Sequence, residues 1–213
     1  MHGDAEARVR LDARSVEPLI LLVVTLALAV GLGVPTLWLV IPFLWITVTR
    51  RSYEEYGLQL GDIGSARLHA TLVLLIFGGY AAIHYAFARS AFDARFEPSL
   101  NPDLLNLVLT HVIVIGLSEE VFFRGYLQTE MNRTFGRPYE IWGARVGWGL
   151  VAASLLFGLC HVVHGDLARL RVAFFGLFAG WLRERSGGVV VPAAYHGMAN
   201  VLYDFMQRSM IAP

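Results

Sequence analysis

Between residues 16 and 206 apolar segments follow one another with only short polar breaks, at about 16–33, 35–49, 69–88, 104–127 or beyond, 147–163, 170–185 and 188–206. Hydrophobic residues make up 56% of the 213-residue chain and charged residues only 16%, and mean hydropathy is +0.55. Water does not solvate such a composition well, so the chain reads as an integral membrane protein. The fold class expected is all-α: a polytopic bundle of about seven transmembrane helices, six to eight being possible because several segments fall short of the ~20 residues a straight span needs.

Breakers set the boundaries. Gly33-Val34-Pro35 forms a tight helical hairpin, and Asn101-Pro102-Asp103 supplies a helix start after the polar stretch 89–103. Residues 50–69 form a second polar loop, and Gly187-Gly188 separates the last two segments. No internal repeat or low-complexity tract divides the chain, so 1–213 is read as one membrane-embedded domain. The first 17 residues are polar, and no convincing cleavage site follows them, which marks an uncleaved first span.

All 17 basic residues are arginine. With the N-terminus inside, eleven arginines lie on the cytoplasmic side (8, 10, 14, 50, 51, 67, 133, 137, 145, 183, 185) and five outside (89, 95, 169, 171, 208), which orients the chain N-in. Arginine-only basic content and compact loops suggest the inner membrane of a bacterium. Zero formal net charge and the lack of a basic face argue against nucleic acid as a partner. Cys160 is the single cysteine, so no internal disulfide forms. It neighbours His161 and points about 100° away from it on a helix, which disfavours a Cys/His nucleophile. No Gly-x-Ser-x-Gly elbow and no phosphate loop is present.

Against this background "GLSEEVFFRGYL" (116–127) is anomalous. A helix from about Asp103 to Met131 puts Glu119 and Glu120 near its middle, where a charge costs at least ~2.5 to 3.5 kcal/mol and faces a bundle interior or cavity. Glu120 and Arg124 share a face in the favourable acid-before-base order, whereas Glu119 is rotated about 100° from Glu120. Glu120 and Arg124 would brace the site and leave Glu119 free; an interfacial cluster at the helix end is the bland alternative. Two further helices carry polar groups at apolar depth. Phe157 and His161 share one face, and His196 and Asn200 share another. A lone histidine on an apolar helix is usually a hydrogen-bonded core residue, but three insertions able to converge point to a site.

The stretches "EEVFFR" (119–124), "FGLCH" (157–161) and "HGMAN" (196–200) resemble the Glu-Glu-x-x-x-Arg, Phe-x-x-x-His and His-x-x-x-Asn motifs of the CAAX protease and bacteriocin-processing family, also called Abi. The resemblance covers about 104–206, the expected catalytic core, and implies an intramembrane endopeptidase. By analogy Glu119 and His161 would activate a water, while His196 and Asn200 donate to the oxyanion. A carboxylate in a dry pocket binds protons more tightly than in water and can act as a base near neutral pH. Donors prearranged at an oxyanion are worth roughly 2.7 to 4 kcal/mol each. A chain this short is expected to recognise its substrate within the lipid bilayer or at its surface, so a membrane-associated or lipidated protein substrate is expected. A glutamate-type enzyme without cofactor is favoured. Zinc on Glu119, His161 and His196 is the alternative, but "HVVH" (161–164) lacks the carboxylate of a His-Glu-x-x-His site, and His164 reads as an interfacial helix-end residue. A non-proteolytic scaffold or immunity protein and a proton-coupled transporter are the other classes, the latter disfavoured by the missing inverted repeat.

Overall fold

The structure is a computed structural model that describes residues 13–163 and 165–213; the expectation for His164, like the arginines at 8 and 10, lies outside the described residues. Seven helices are present among them: α1 (Ala13–Leu32), α2 (Leu37–Val48), α3 (Ala66–Phe92), α4 (Leu104–Phe135), α5 (Trp148–Val162), α6 (Val172–Ser186) and α7 (Val190–Ser209). The all-α class holds. Strands are confined to two minimal antiparallel pairs, β1 (Arg95–Phe96) with β4 (Met210–Ile211), and β2 (Tyr139–Ile141) with β3 (Ala144–Val146).

The sequence breakers act where expected. Gly33 takes φ +66°, a left-handed turn that costs glycine little, and the Val34 amide donates to Ala29 O at 3.0 Å to close the α1–α2 hairpin. Asp103 caps α4 by accepting from the Asn106 amide at 3.3 Å, and Ser65 caps α3 from Leu68 at 3.2 Å.

Two of the helices, α3 and α4, are long and apolar enough to cross a membrane; α2, α5 and most of α1 are shorter apolar helices. Only 6% of the most apolar window of α3 is buried inside the protein, and Leu74, Leu75 and Ile83 stand open on it. An apolar surface of this extent suits hydrocarbon and not water, and marks a membrane protein.

Small residues set the helix spacing, as they do where lipid removes the hydrophobic drive for helices to associate. At Gly197 of α7 an added Cβ would lie 2.7 Å from Val112 Cα of α4, and at Gly116 of α4 it would lie 3.1 Å from Ala193 O of α7. Gly158 lets α5 meet Ala173 of α6, and Gly176 of α6 receives Ser154 of α5. Helix α4 thus has α5 and α7 against it, while the α1–α2 hairpin packs on its other side through Trp38, whose ring lies 4.9 Å from those of both Phe122 and Phe123.

The connecting segments gather at two ends. At one, the loop after α2 meets the turn between α6 and α7, with Asp62 donating to Ser186 O at 2.7 Å and Val189 to Gly57 O at 2.9 Å. At the other, β1 pairs with β4 and Ser99 bonds Ser209 Oγ at 3.0 Å.

Candidate active site

Helix α4 is not a uniform α-helix. Its hydrogen bonding widens to the π form over Thr110–Leu117 and Val121–Leu127, and the single α-helical turn between them is Ser118–Glu120. Such departures are rare and concentrate at functional sites; the amino-acid pattern gave no sign of them.

Glu120 and Arg124 are fully buried, and Arg124 Nε lies 3.2 Å from Glu120 Oε2. The contact is an ion pair, not an aligned hydrogen bond, since neither atom has a hydrogen-bond partner. The guanidinium also sits 4.4 Å from the centre of the Phe157 ring, a cation–π contact supplied by α5. The other oxygen of Glu120 accepts from His196 Nδ1 at 2.9 Å, a contact that the four-residue spacing of Glu120 and Arg124 could not announce. His196 is wedged edge-on between Phe157 and Phe175, with ring centres 5.9 and 5.3 Å away.

Glu119 faces a different way. Its Oε2 is 3.8 Å from Nε2 of His161 and 3.8 Å from Nε2 of His196, and makes no hydrogen bond. The structure therefore brings Glu119, Glu120, Arg124, His161 and His196 together from α4, α5 and α7. Asn200 lies one turn beyond His196 on α7, half-buried, and forms no side-chain hydrogen bond among the described residues.

Acceptor chemistry fixes both histidine tautomers. His161 Nδ1 is 2.9 Å from the Phe157 carbonyl, which can only accept, so Nδ1 carries the hydrogen. His196 Nδ1 likewise donates to the Glu120 carboxylate. In neutral imidazoles both Nε2 atoms then carry lone pairs, each 3.8 Å from Glu119 Oε2, and all three atoms are acceptors. A water, with two hydrogens to give, suits that arrangement. The site opens on one side, because the His161 side chain is 25% exposed and Glu119 14%, against 6% for His196 and 0% for Glu120.

As to metal, Glu119, His161 and His196 are the residues with free ligand atoms on this point, but the two 3.8 Å gaps exceed the roughly 3.3 Å between neighbouring ligands on tetrahedral zinc. Among the described residues no set of three or more His, Cys, Asp or Glu is disposed to hold a metal ion. Cys160 is half-buried and forms no disulfide.

Sequence reading missed a second polar network at the end of α4. Arg51 bridges Glu17 at 2.7 Å and Glu130 at 3.2 Å, Glu17 also accepts from Trp45 Nε1 and Tyr126 Oη, and Tyr56 and Arg133 close on Glu130. The bond to Glu17 holds the Arg51 guanidinium above even its usual high range, and burial pushes the Tyr56 phenol up. The only available signal was Glu130 and Arg133, one turn apart just beyond the apolar run. A 360 Å³ cavity also lies at this end, not beside Glu119.

Residues 101–202 match a family model described as type II CAAX prenyl endopeptidase Rce1-like. No curated protein and no solved structure matches the chain.

Proposed function

This chain belongs to the CAAX protease and bacteriocin-processing family through residues 101–202, and we propose that it is a multi-pass intramembrane endopeptidase of glutamate type. Glu119 and His161 hold and deprotonate the attacking water, and His196 and Asn200 stabilise the oxyanion. The observation that carries the reading is the convergence of His161 Nε2 and His196 Nε2 on Glu119 Oε2, each at 3.8 Å, from three different helices.

A water between these atoms donates to Glu119 and His161 and keeps a lone pair for the substrate carbonyl. The proton it loses passes to Glu119 or His161, on the exposed side where the leaving amine must be protonated. The other side is static. His196 is held by Glu120, and Glu120 is neutralised by Arg124. Two carboxylates and one guanidinium leave the cluster one negative charge, so the resting site can hold one proton taken up from solvent, separate from the one the water loses. With that resident proton on Nε2, His196 is a donor to the oxyanion, and Asn200 supplies a second donor from the next turn. Arg124 and Glu120 position; they do not touch the peptide.

A site enclosed by apolar helices supports a substrate presented from the bilayer or its surface: a membrane-associated or lipid-modified protein. The arginine distribution supports an N-in orientation and fits a bacterial inner membrane. The test compares protein termini by mass spectrometry in cells lacking this protein, cells with wild type restored, and cells with equally abundant Glu119→Gln. A terminus that returns with wild type and not with Glu119→Gln is the expected result and identifies the substrate. Restoration by both rules Glu119 out as the catalytic carboxylate. Termini unaffected by the protein favour the scaffold reading.

A further inference from the structure

The 360 Å³ cavity at the end of α4 is lined by Arg133, Arg137 and Arg183 together with Glu55 and Glu184. Both carboxylates are already engaged. Glu184 accepts from Gln128 at 2.8 Å, Asn132 at 2.9 Å and Arg137 at 2.7 Å, and Glu55 accepts from Arg133 at 2.6 Å. Arg183 is different. It is only 8% exposed, its NH2 donates to the backbone carbonyl of Glu55 at 3.1 Å, and its buried Nε has no hydrogen-bond partner. Among the described residues no carboxylate oxygen lies within ion-pair distance of it.

A buried guanidinium with no carboxylate at ion-pair distance is unfavourable, and arginine is the side chain whose planar fork of donors suits phosphate oxygens. The surroundings are shaped for it. Gly57 holds φ +66° beneath the guanidinium, and a Cβ there would come within 2.6 Å of Arg183 Cζ. The depth is also informative. Arg133 is 14 residues beyond Glu119, roughly 21 Å along α4 at ~1.5 Å per residue, which from mid-bilayer reaches the headgroup region of a ~30 Å hydrocarbon core.

We propose that this cavity binds a phosphate-bearing anion, with Arg183 as the buried anchor and the half-exposed Arg137 at its mouth. The shared chemistry is a phosphoryl group, whether from a lipid headgroup or a free phosphate. The site is separate from Glu119 and stands whether or not the chain is a protease.

The test is thermal unfolding of full-length protein purified in an uncharged detergent. One arm titrates short-chain phosphatidylglycerol against a monoacylglycerol of equal chain length; the other titrates inorganic phosphate against chloride at equal ionic strength. Wild type is expected to show a saturating Tm rise of roughly 5 °C or more at a hundredfold excess over Kd in at least one arm. A rise with phosphatidylglycerol alone assigns the lipid headgroup; a rise with inorganic phosphate as well assigns free phosphate. Arg183→Gln and Arg137→Gln are expected to weaken half-saturation at least tenfold, and the exposed Arg89→Gln at the other end to leave it unchanged. Arg137→Gln decides if Arg183→Gln fails to fold. No rise in either arm, or an Arg137→Gln protein that responds as wild type does, overturns the proposal.

Discussion

Replacing Arg124 by methionine isolates what the buried pair contributes. The guanidinium is fully buried, 3.2 Å from a fully buried Glu120, and lies 4.4 Å from the Phe157 ring centre. Breaking a buried pair by removing one partner costs about 3–5 kcal/mol, because the surviving charge has lost its compensation. A desolvated cation–π contact is worth ~2 kcal/mol, but it shares the same guanidinium and does not simply add. Methionine retains much of the stem's volume, so little of the loss is cavity. For a protein of this length about 2–4 °C of Tm accompanies each kcal/mol, and Arg124→Met should melt roughly 6–20 °C below wild type in detergent. The second half of the cycle carries the diagnosis. Glu120→Gln with Arg124→Met removes both charges and keeps an acceptor for His196 Nδ1, so the double variant should recover most of the lost Tm while staying poorly active. Differential scanning fluorimetry in one detergent reads all three proteins. An Arg124→Met protein that melts within 3 °C of wild type, or a double variant that melts no higher than the single one, refutes the reasoning and moves Arg124 from bracing to substrate contact.

Gly197→Ala is expected to cost about 1–3 kcal/mol by overpacking and to lower turnover, because the new Cβ would run into Val112 Cγ2 and lie 2.7 Å from Val112 Cα, and its relief widens the Glu120–His196 contact; Val112→Ala should restore only part, because it removes Cγ2 and leaves Cα and Cβ in the way. Arg51→Ala leaves Glu17 and Glu130 facing each other without the cation between them, and should lower Tm by several degrees; a Tm equal to wild type would make the network decorative. Exhaustive chelation followed by metal analysis is expected to leave activity intact with no stoichiometric zinc, whereas activity lost to chelation and returned by zinc would replace the glutamate mechanism with a metal one.

The seven helices were legible because apolar runs and their breakers coincide: Gly33 and Asp103 turn and cap where the residue types say they should. The candidate site was legible through position alone, since a charge or histidine inside an apolar helix has few reasons to be there. Its wiring was not. The Glu120–His196 bond spans 76 positions and depends on Gly116 and Gly197 letting α4 and α7 approach, and helical spacing contains only partners on the same helix. For the same reason the ion pairs from Arg51 to Glu17 and Glu130, and the enclosure of Arg183 over Gly57, were invisible. Each residue there lies in or next to a polar loop, where charge is unremarkable until the fold buries it.

The distribution of charge among the helices carries one further consequence. Helices α5 and α7 bring the site no fixed charge: His161 and His196 can enter hydrocarbon in the neutral form, and Asn200 is uncharged. Helix α4 carries Glu120 and Arg124 as a pair that neutralises itself within one turn, so its insertion leaves a single uncompensated carboxylate, Glu119. The Oε2 of that residue has no hydrogen-bond partner among the described residues. An unsatisfied buried acceptor persists against such a cost when something transient is to occupy it. On the proposed reading His161 Nε2 presents its lone pair 3.8 Å from that oxygen, so the occupant brings its own hydrogens, as a nucleophilic water does.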